Sequence, residues 1–237
     1  MNVCIYFATI LISLPQKFSD YIDFSEFGIV QSRILTCSSR IVIVLPKLPA
    51  SCYGKGKMTV GKLTVSMYIT LDGVMEEPSW TAAYWDDELA QFQLGQLYNN
   101  DALLLGRVTY EGFAATWPTA EDEHGFADRM NEIPKYVVSH TLKRTEWNAR
   151  LINHDFVEEI KRLKKTGQRL LVYGSAELID TLIEHDLVDE LHLMTFPLLL
   201  GEGKKLFRDG TSPKAFKLLT SFSTDQGVLI ANYAPER

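Results

Sequence analysis

Cysteine is scarce in this chain and confined to one end: Cys4, Cys37 and Cys52 all lie in the first quarter of the 237 residues, none in a CxxC arrangement. No ligand-spaced His accompanies them, so neither a disulfide framework nor a zinc site is supported. Histidine is sparse too, with five scattered residues and no HExxH motif, and no metal is expected. No block of Lys and Arg is interleaved with aromatics, and the formal net charge is -6. Both facts argue against a nucleic-acid partner. The apolar run from Val3 to Leu14 is too short to span a bilayer, and it lacks the basic flank and small-residue cleavage site of a secretory signal. A soluble, cytoplasmic protein with no membrane partner is therefore expected.

What remains is the profile of a globular protein, 46% hydrophobic and 23% charged, of a length that one compact α/β domain accounts for. Its charge is unevenly spread. Residues 1–57 hold 6 Lys+Arg against 3 Asp+Glu, and the rest of the chain holds 18 against 27. The leading part has apolar runs at Val3 to Leu14 and Ile41 to Leu45 and a Ser/Pro/Gly-rich tail, with no period sustained between them. Residues 1–57 are thus expected to be a poorly ordered extension or no part of the working protein, and residues 58–237 to be the working domain.

After Met58, strand-like and helix-like segments alternate, as in an α/β layer fold. Strands are predicted at Leu63 to Thr70, Ala102 to Leu105, Lys135 to Ser139, Arg169 to Tyr173 and Glu190 to Phe196. Helices are predicted at Asp86 to Asn99, with Leu89, Phe92 and Leu97 inward, at Arg107 to Thr116, and at Asp155 to Lys165 behind an Asp155/Glu158 capping pattern. A further helix carries an inner stripe of Leu178, Ile179, Leu182 and Ile183, and the apolar runs around Gln226-Gly227 predict a closing hairpin.

Three of the strand ends carry small or hydroxyl residues where a helix or loop begins, and ligands of open α/β sheets bind at that edge. The first reads Leu105-Gly106-Arg107-Val108-Thr109, the second Val138-Ser139-His140-Thr141 and the third Tyr173-Gly174-Ser175-Ala176. A glycine lets a phosphate approach the backbone, a helix N-terminus offers unpaired N–H groups, and Arg107 and Thr109 add side-chain donors. Each junction alone is an ordinary turn and cap. Three in succession argue for a bound dinucleotide.

The strings ITLDGVM (Ile69 to Met75), LLLGRVTYE (Leu103 to Glu111), YVVSHTL (Tyr136 to Leu142), LLVYGSAELI (Leu170 to Ile179) and VDELHLMTFPLLLGEGKKLF (Val188 to Phe207) resemble single-domain relatives of the riboflavin-biosynthesis reductase domain. That family, of the RibD C-terminal type, is similar in fold to dihydrofolate reductase. The resemblance implies a three-layer α/β fold, with a central, mostly parallel sheet flanked by helices and a C-terminal antiparallel hairpin. It also implies NADPH as cofactor, with Gly106, Arg107 and Thr109 at its phosphates, Ser139 and Thr141 near the adenosine phosphate, and Gly174, Ser175 and Ala176 along the pyrophosphate and nicotinamide. It further points to homodimers, for which Leu191, Leu193 and Pro197 to Leu200 supply an apolar stretch that a small domain does not easily bury alone. Two departures stand out: Tyr173 replaces an acidic residue of the riboflavin-pathway enzyme, and Gly112 to Trp117 lacks that enzyme's phosphate-holding arginine.

Compared with dihydrofolate reductase, Leu89-Ala90-Gln91-Phe92 matches the helix bearing the substrate-binding carboxylate, which places Glu88, or Asp87 one residue earlier, in the catalytic position. Asp86, Asp87 and Glu88 also stand where acids favour a helix N-terminus for structural reasons. Asp72 and Trp117 are candidate substrate contacts, and Trp80, Trp85, Phe113 and Trp117 are candidates to stack on a flat heteroaromatic molecule. The expected activity is hydride transfer from NADPH to a small pterin- or pyrimidine-like substrate. The alternative is a dinucleotide- or drug-binding protein without turnover on the same fold.

Overall fold

The computed structural model describes residues 9–12, 33–37, 40–44, 60–121 and 125–236. The chain divides into two units, Met1–Lys57 and Met58–Arg237. In the first, β1 (Thr9–Ile12), β2 (Arg33–Cys37) and β3 (Arg40–Val44) form an antiparallel sheet in the order β1-β3-β2.

The second unit is built on eight strands in the order β10-β11-β9-β4-β8-β5-β6-β7. They are β4 (Leu63–Thr70), β5 (Ala102–Gly106), β6 (Lys135–Val138), β7 (Ala149–Ile152), β8 (Leu170–Val172), β9 (Glu190–Phe196), β10 (Phe216–Ser223) and β11 (Leu229–Pro235). The six strands from β9 to β7 pair in parallel, and β11 and β10 continue the sheet antiparallel as the closing hairpin. Between the strands run α1 (Asp87–Asn99), α2 (Arg107–Thr116), α3 (Phe126–Glu132), α4 (Phe156–Lys165) and α5 (Ala176–Glu184).

Parallel strands covered on both faces read as unbroken apolar runs, and β5 is buried at all five positions. Ala102 and Leu104 face a core completed by Ile160 and Leu163 of α4 and by Leu178, Ile179, Leu182 and Ile183 of α5. Leu103 and Leu105 face the opposite core, with Leu97 of α1, Tyr110 of α2 and Met130 of α3. A third cluster, with Leu89 of α1, Met194, Phe196 and Ile230, lies towards the hairpin. The result is the expected three layers, with the sheet between α1, α2 and α3 on one side and α4 and α5 on the other. Among the described residues no helix is long and apolar enough to cross a membrane.

Caps fix the helix ends where the sequence placed them. Asp86 Oδ1 accepts from Leu89 N at 2.9 Å at the start of α1, and Asp155 Oδ1 accepts from Glu158 N at 3.2 Å at the start of α4. The inner face of α1 differs from its apolar reading. Gln93 and Gln96 are buried there beside Leu89 and Leu97, whereas Phe92 is only half-buried. Two elements carry no strong sequence signal. Helix α3 starts at Gly125 without a side-chain cap, and β7 is a four-residue edge strand entered through Trp147 and Asn148, both at φ 53°. The late apolar stretch is divided: Leu191 is buried, Leu193 and Leu198 are half-buried, and Leu199 and Leu200 stay exposed.

Asp72, in the turn after β4, is a tie between loops. Its carboxylate accepts from the Thr70 hydroxyl, from Gly201 N at 2.8 Å and from Leu200 N at 3.4 Å. Gly201 sits at φ +80°, a left-handed conformation that presents its N–H to the carboxylate and suits glycine. The Thr70 hydroxyl and the Gly201 N–H together hold the Asp72 pKa down at about 2. An unfolded carboxyl titrates near pH 4. The tie therefore contributes its full stability above about pH 4 and loses it as pH falls towards 2. Asp72→Asn is expected to lower the urea midpoint at pH 7 and to flatten its decline between pH 4 and 2; an unchanged acid profile would show that the tie adds nothing.

Candidate active site

Strands β5 and β8 end side by side, and their C-terminal ends approach more closely than side chains allow. Gly106 N donates to Gly174 O at 3.1 Å. A Cβ on Gly106 would lie 2.8 Å from Ser175 Oγ, and one on Gly174, at φ +126°, would lie 3.0 Å from Thr109 Oγ1. The Gly174-Ser175 peptide is cis. Gly106, Thr109, Gly174, Ser175 and the buried Ala176 are thus one cluster, formed where the N-termini of α2 and α5 meet the sheet edge. Ser175 stands at the N-cap of α5, yet its side chain makes no capping hydrogen bond, in contrast to the capping role a hydroxyl there predicts.

The other proposed cofactor residues have partners of their own. Arg107 is exposed at the first position of α2, and its Nη1 donates to Glu111 Oε2 at 2.8 Å. Ser139 is buried after β6, where its Oγ accepts from Thr141 N at 3.2 Å and Leu142 N at 3.0 Å. Thr141 is exposed on the same turn, its hydroxyl 3.4 Å from Ser139 Oγ.

Glu88 lies in the first turn of α1, exposed, and its Oε2 accepts from Asp225 N at 3.0 Å. Asp86 beside it accepts from Gln226 N at 3.2 Å. The acidic start of α1 therefore holds the β10–β11 turn, and the carboxylate given a chemical role in the sequence has a structural partner here. The Asp72 tie likewise occupies that carboxylate in the Gly201 loop.

The candidate stacking residues pack against other aromatic rings. Trp80 packs edge-on against Phe196, with ring centroids 5.2 Å apart. Trp85 meets Tyr68 at 6.3 Å, Phe113 meets Tyr173 at 6.4 Å, and Trp117 lies between Phe113 and Phe126. Tyr68, which meets Trp85, and its partner Gln93 were not singled out from the sequence. Gln93 Nε2 donates to the Tyr68 hydroxyl oxygen at 2.8 Å. Period-2 alternation along β4 was the available signal, because it puts Tyr68 on the face opposite Met67, which packs with α4 and α5. Burial pushes the pKa of both the Tyr68 and the Tyr173 hydroxyl up, so both stay protonated.

The chain is similar to known proteins in sequence and in fold. The family model of the RibD C-terminal domain covers residues 61–230. The uncharacterized protein YyaP of Bacillus subtilis (strain 168) is 32% identical over 176 residues, which span 71% of this chain and 92% of YyaP. Among solved structures, a candidate riboflavin biosynthesis protein from Shewanella sp. PV-4 superposes with a TM-score of 0.62 at 22% identity, covering 74% of this chain and 99% of that one. A dihydrofolate reductase from Enterococcus faecalis complexed with NADP(H) superposes with a TM-score of 0.52 at 15% identity, covering 75% and 98%. At those identities the superpositions establish the dihydrofolate-reductase-like fold, and the family match adds the lineage. With strand ends, glycine cluster and sequence match in agreement, this chain belongs to the RibD C-terminal domain family.

Proposed function

We propose that residues 58–237 form a soluble cytoplasmic NADPH-dependent reductase acting on a small heteroaromatic, pterin- or pyrimidine-like acceptor. The observation that carries this reading is the convergence of Gly106, Thr109, Gly174 and Ser175 at the ends of β5 and β8. These residues fit a dinucleotide: two glycines leave the backbone open, a threonine and a serine hydroxyl flank them, and two helix N-termini point at the same edge. When bound, the cofactor supplies a hydride from nicotinamide C4 to the acceptor carbon and becomes NADP+, while the neighbouring nitrogen or oxygen of the acceptor gains a proton.

The protein's part is to hold the two reactants together and dry. Gly174 and Ser175 would hold the pyrophosphate and nicotinamide, with the rings of Phe113, Tyr173, Tyr68 and Trp85 on the acceptor side. Ser139 and Thr141 would hold the adenosine phosphate. Arg107 reads the 2′-phosphate by giving up Glu111 for the ligand; an exposed ion pair of this kind is worth only about 0–1 kcal/mol and yields readily. Hydrogen bonds to charged groups are worth about 1.5–3 kcal/mol, so Arg107→Ala is expected to weaken NADPH binding about ten- to a hundredfold and leave NADH nearly unaffected. Equal losses for both dinucleotides, or none, would remove Arg107 as the phosphate reader.

Glu88, which the sequence places in the catalytic position, is engaged by Asp225 N, and in this reading it fastens the β10–β11 turn and leaves protonation to water. That engagement is also the one observation that favours the alternative, a binding protein without turnover. Glu88→Gln is expected to keep kcat/KM and NADPH affinity and to cost about 0.5–1 kcal/mol of stability at the β10–β11 turn. A hundredfold fall in kcat with NADPH affinity intact would instead make Glu88 the proton source.

The reading includes a homodimer. Leu218, Leu219 and Phe222 on edge strand β10 are all more than 40% exposed, as is Leu229 beside them on β11, and they form an apolar margin that a second copy would cover. Light scattering at micromolar concentration is expected to return twice the chain mass, and a monomer would remove the claim.

A further inference from the structure

We propose that the segment 197–215 is a strap with Asp180 and Arg208 as its positioning residues. They fix α5 in register against the loop after β4 and so set where Ser175 stands at the dinucleotide edge; this rests on the cofactor reading above.

The segment crosses from β9 to β10 with no helix and, apart from a single bridge of Lys205 to Val74, no strand pairing. One side of it is fastened to the loop after β4. Leu198 O accepts from Leu71 N at 3.0 Å, Gly201 N donates to Asp72 Oδ2 at 2.8 Å, and Lys204 N donates to Glu76 Oε2 at 3.0 Å. Lys204 O then accepts from Met75 N at 2.9 Å, and Leu206 N donates to Gly73 O at 3.0 Å. The other side lies along α5. Lys204 Nζ meets Glu177 Oε1 at 2.8 Å, Arg208 Nε meets Asp180 Oδ2 at 2.7 Å, and Lys214 Nζ donates to Ile183 O. Glu177, Asp180 and Ile183 recur at a spacing that shares one helix face, so successive cations of the strap take successive turns of α5. Leu206, 1% exposed, joins the core cluster of Leu178, Ile179 and Leu182 beneath them.

Among these contacts the burial of Asp180 needs a reason. It is 3% exposed on a helix whose other buried residues are apolar, and its Oδ1 has no hydrogen-bond partner. Burial pushes its carboxyl pKa up although the Arg208 guanidinium beside it acts the other way. An apolar side chain would cost less there, because desolvating an ion pair commonly outweighs its attraction. What the pair supplies is direction. Apolar packing holds α5 on the sheet but resists sliding weakly, whereas a carboxylate and a guanidinium 2.7 Å apart admit one register. Register matters at the first turn of α5. Ser175 is the N-cap, and its Oγ stands 2.8 Å from where a Cβ on Gly106 would lie, so even a small slide of the helix changes the gap that a phosphate enters.

The test uses the full chain, with the NADPH Kd read from the cofactor's fluorescence and stability from the urea midpoint at pH 7. Asp180→Asn is expected to weaken NADPH about tenfold, the factor that about 1.4 kcal/mol represents. Its urea midpoint is expected to stay level or rise, because the buried charge is gone and Arg208, 62% exposed, keeps its hydration. A merely structural pair would lower midpoint and affinity together. Arg208→Gln is expected to lose as much affinity, and the double variant no more than either alone. Asp72→Asn, which frees the far side of the strap, is expected to weaken NADPH in the wild-type background and not in the Asp180→Asn background. Unchanged affinity in Asp180→Asn, a lowered midpoint in that variant, or additive losses overturn the proposal. Should the wild type not bind NADPH, the cofactor reading fails by itself. The strap is then read by hydrogen exchange at Ile179 N, which donates to Ser175 O at 3.0 Å, relative to Leu103 N in the sheet. Asp72→Asn is expected to speed that exchange in the wild-type background alone; no change, or an equal change in both backgrounds, ends the proposal.

Discussion

The close approach of β5 and β8 at their C-terminal ends is the constraint on which the rest of this molecule depends. Gly106 and Gly174 touch through a backbone hydrogen bond, with Ser175 and Thr109 packed where side chains on the glycines would be. Only glycine tolerates φ +126° at position 174 without strain. The approach holds because both strands are buried on both faces, between the helix pair α4 and α5 and the trio α1, α2 and α3. An added Cβ at Gly106 would push Ser175 and the start of α5 outward, opening the edge proposed to hold a dinucleotide. Packing in the middle of the sheet and chemistry at its edge are therefore one problem.

Around that edge the structure sorts polar residues into two kinds. Asp72, Asp86 and Glu88 carry the sequence signature of chemistry, yet each accepts backbone N–H groups that fasten a loop. Their charge is absorbed by those donors, as the lowered pKa of Asp72 records. Tyr173 and Gln93 look like core residues in the sequence, yet the Tyr173 hydroxyl and Gln93 Oε1 are buried without hydrogen-bond partners, while the Tyr68 oxygen accepts from Gln93 Nε2. Buried hydrogen-bonding capacity is expensive to keep, and among the described residues it is left unpaired at scattered places, from β4 and α1 to α5 and the closing hairpin.

Much of the scaffold was legible beforehand because its signals are local. Strand β4 and helix α2 begin and end where periodicity and turn residues put them, and Asp86 and Asp155 cap their helices through contacts three residues away. Helix α3 and strand β7 escaped because nothing local marks them: one has no side-chain cap, and the other is a short edge strand whose register with β6 is set by the sheet. The polar face of α1 escaped for a related reason. Gln93 and Gln96 read as solvent-facing in a helical pattern, and only the presence of Tyr68 and His192 on the facing strands makes burying them tolerable.

The sequence by itself determined the fold class, the family and the glycines and hydroxyls of the three strand ends, since those follow from apolar runs, turn residues and short motifs carried within a few positions of one another. Tertiary structure alone decided which side chains those ends meet. It turned Glu88 to the hairpin more than a hundred residues away and brought Tyr68 of β4 against Gln93 of α1. Contacts of that range depend on how layers pack, and layer packing is fixed by the summed burial of the whole domain rather than by any stretch of its chain.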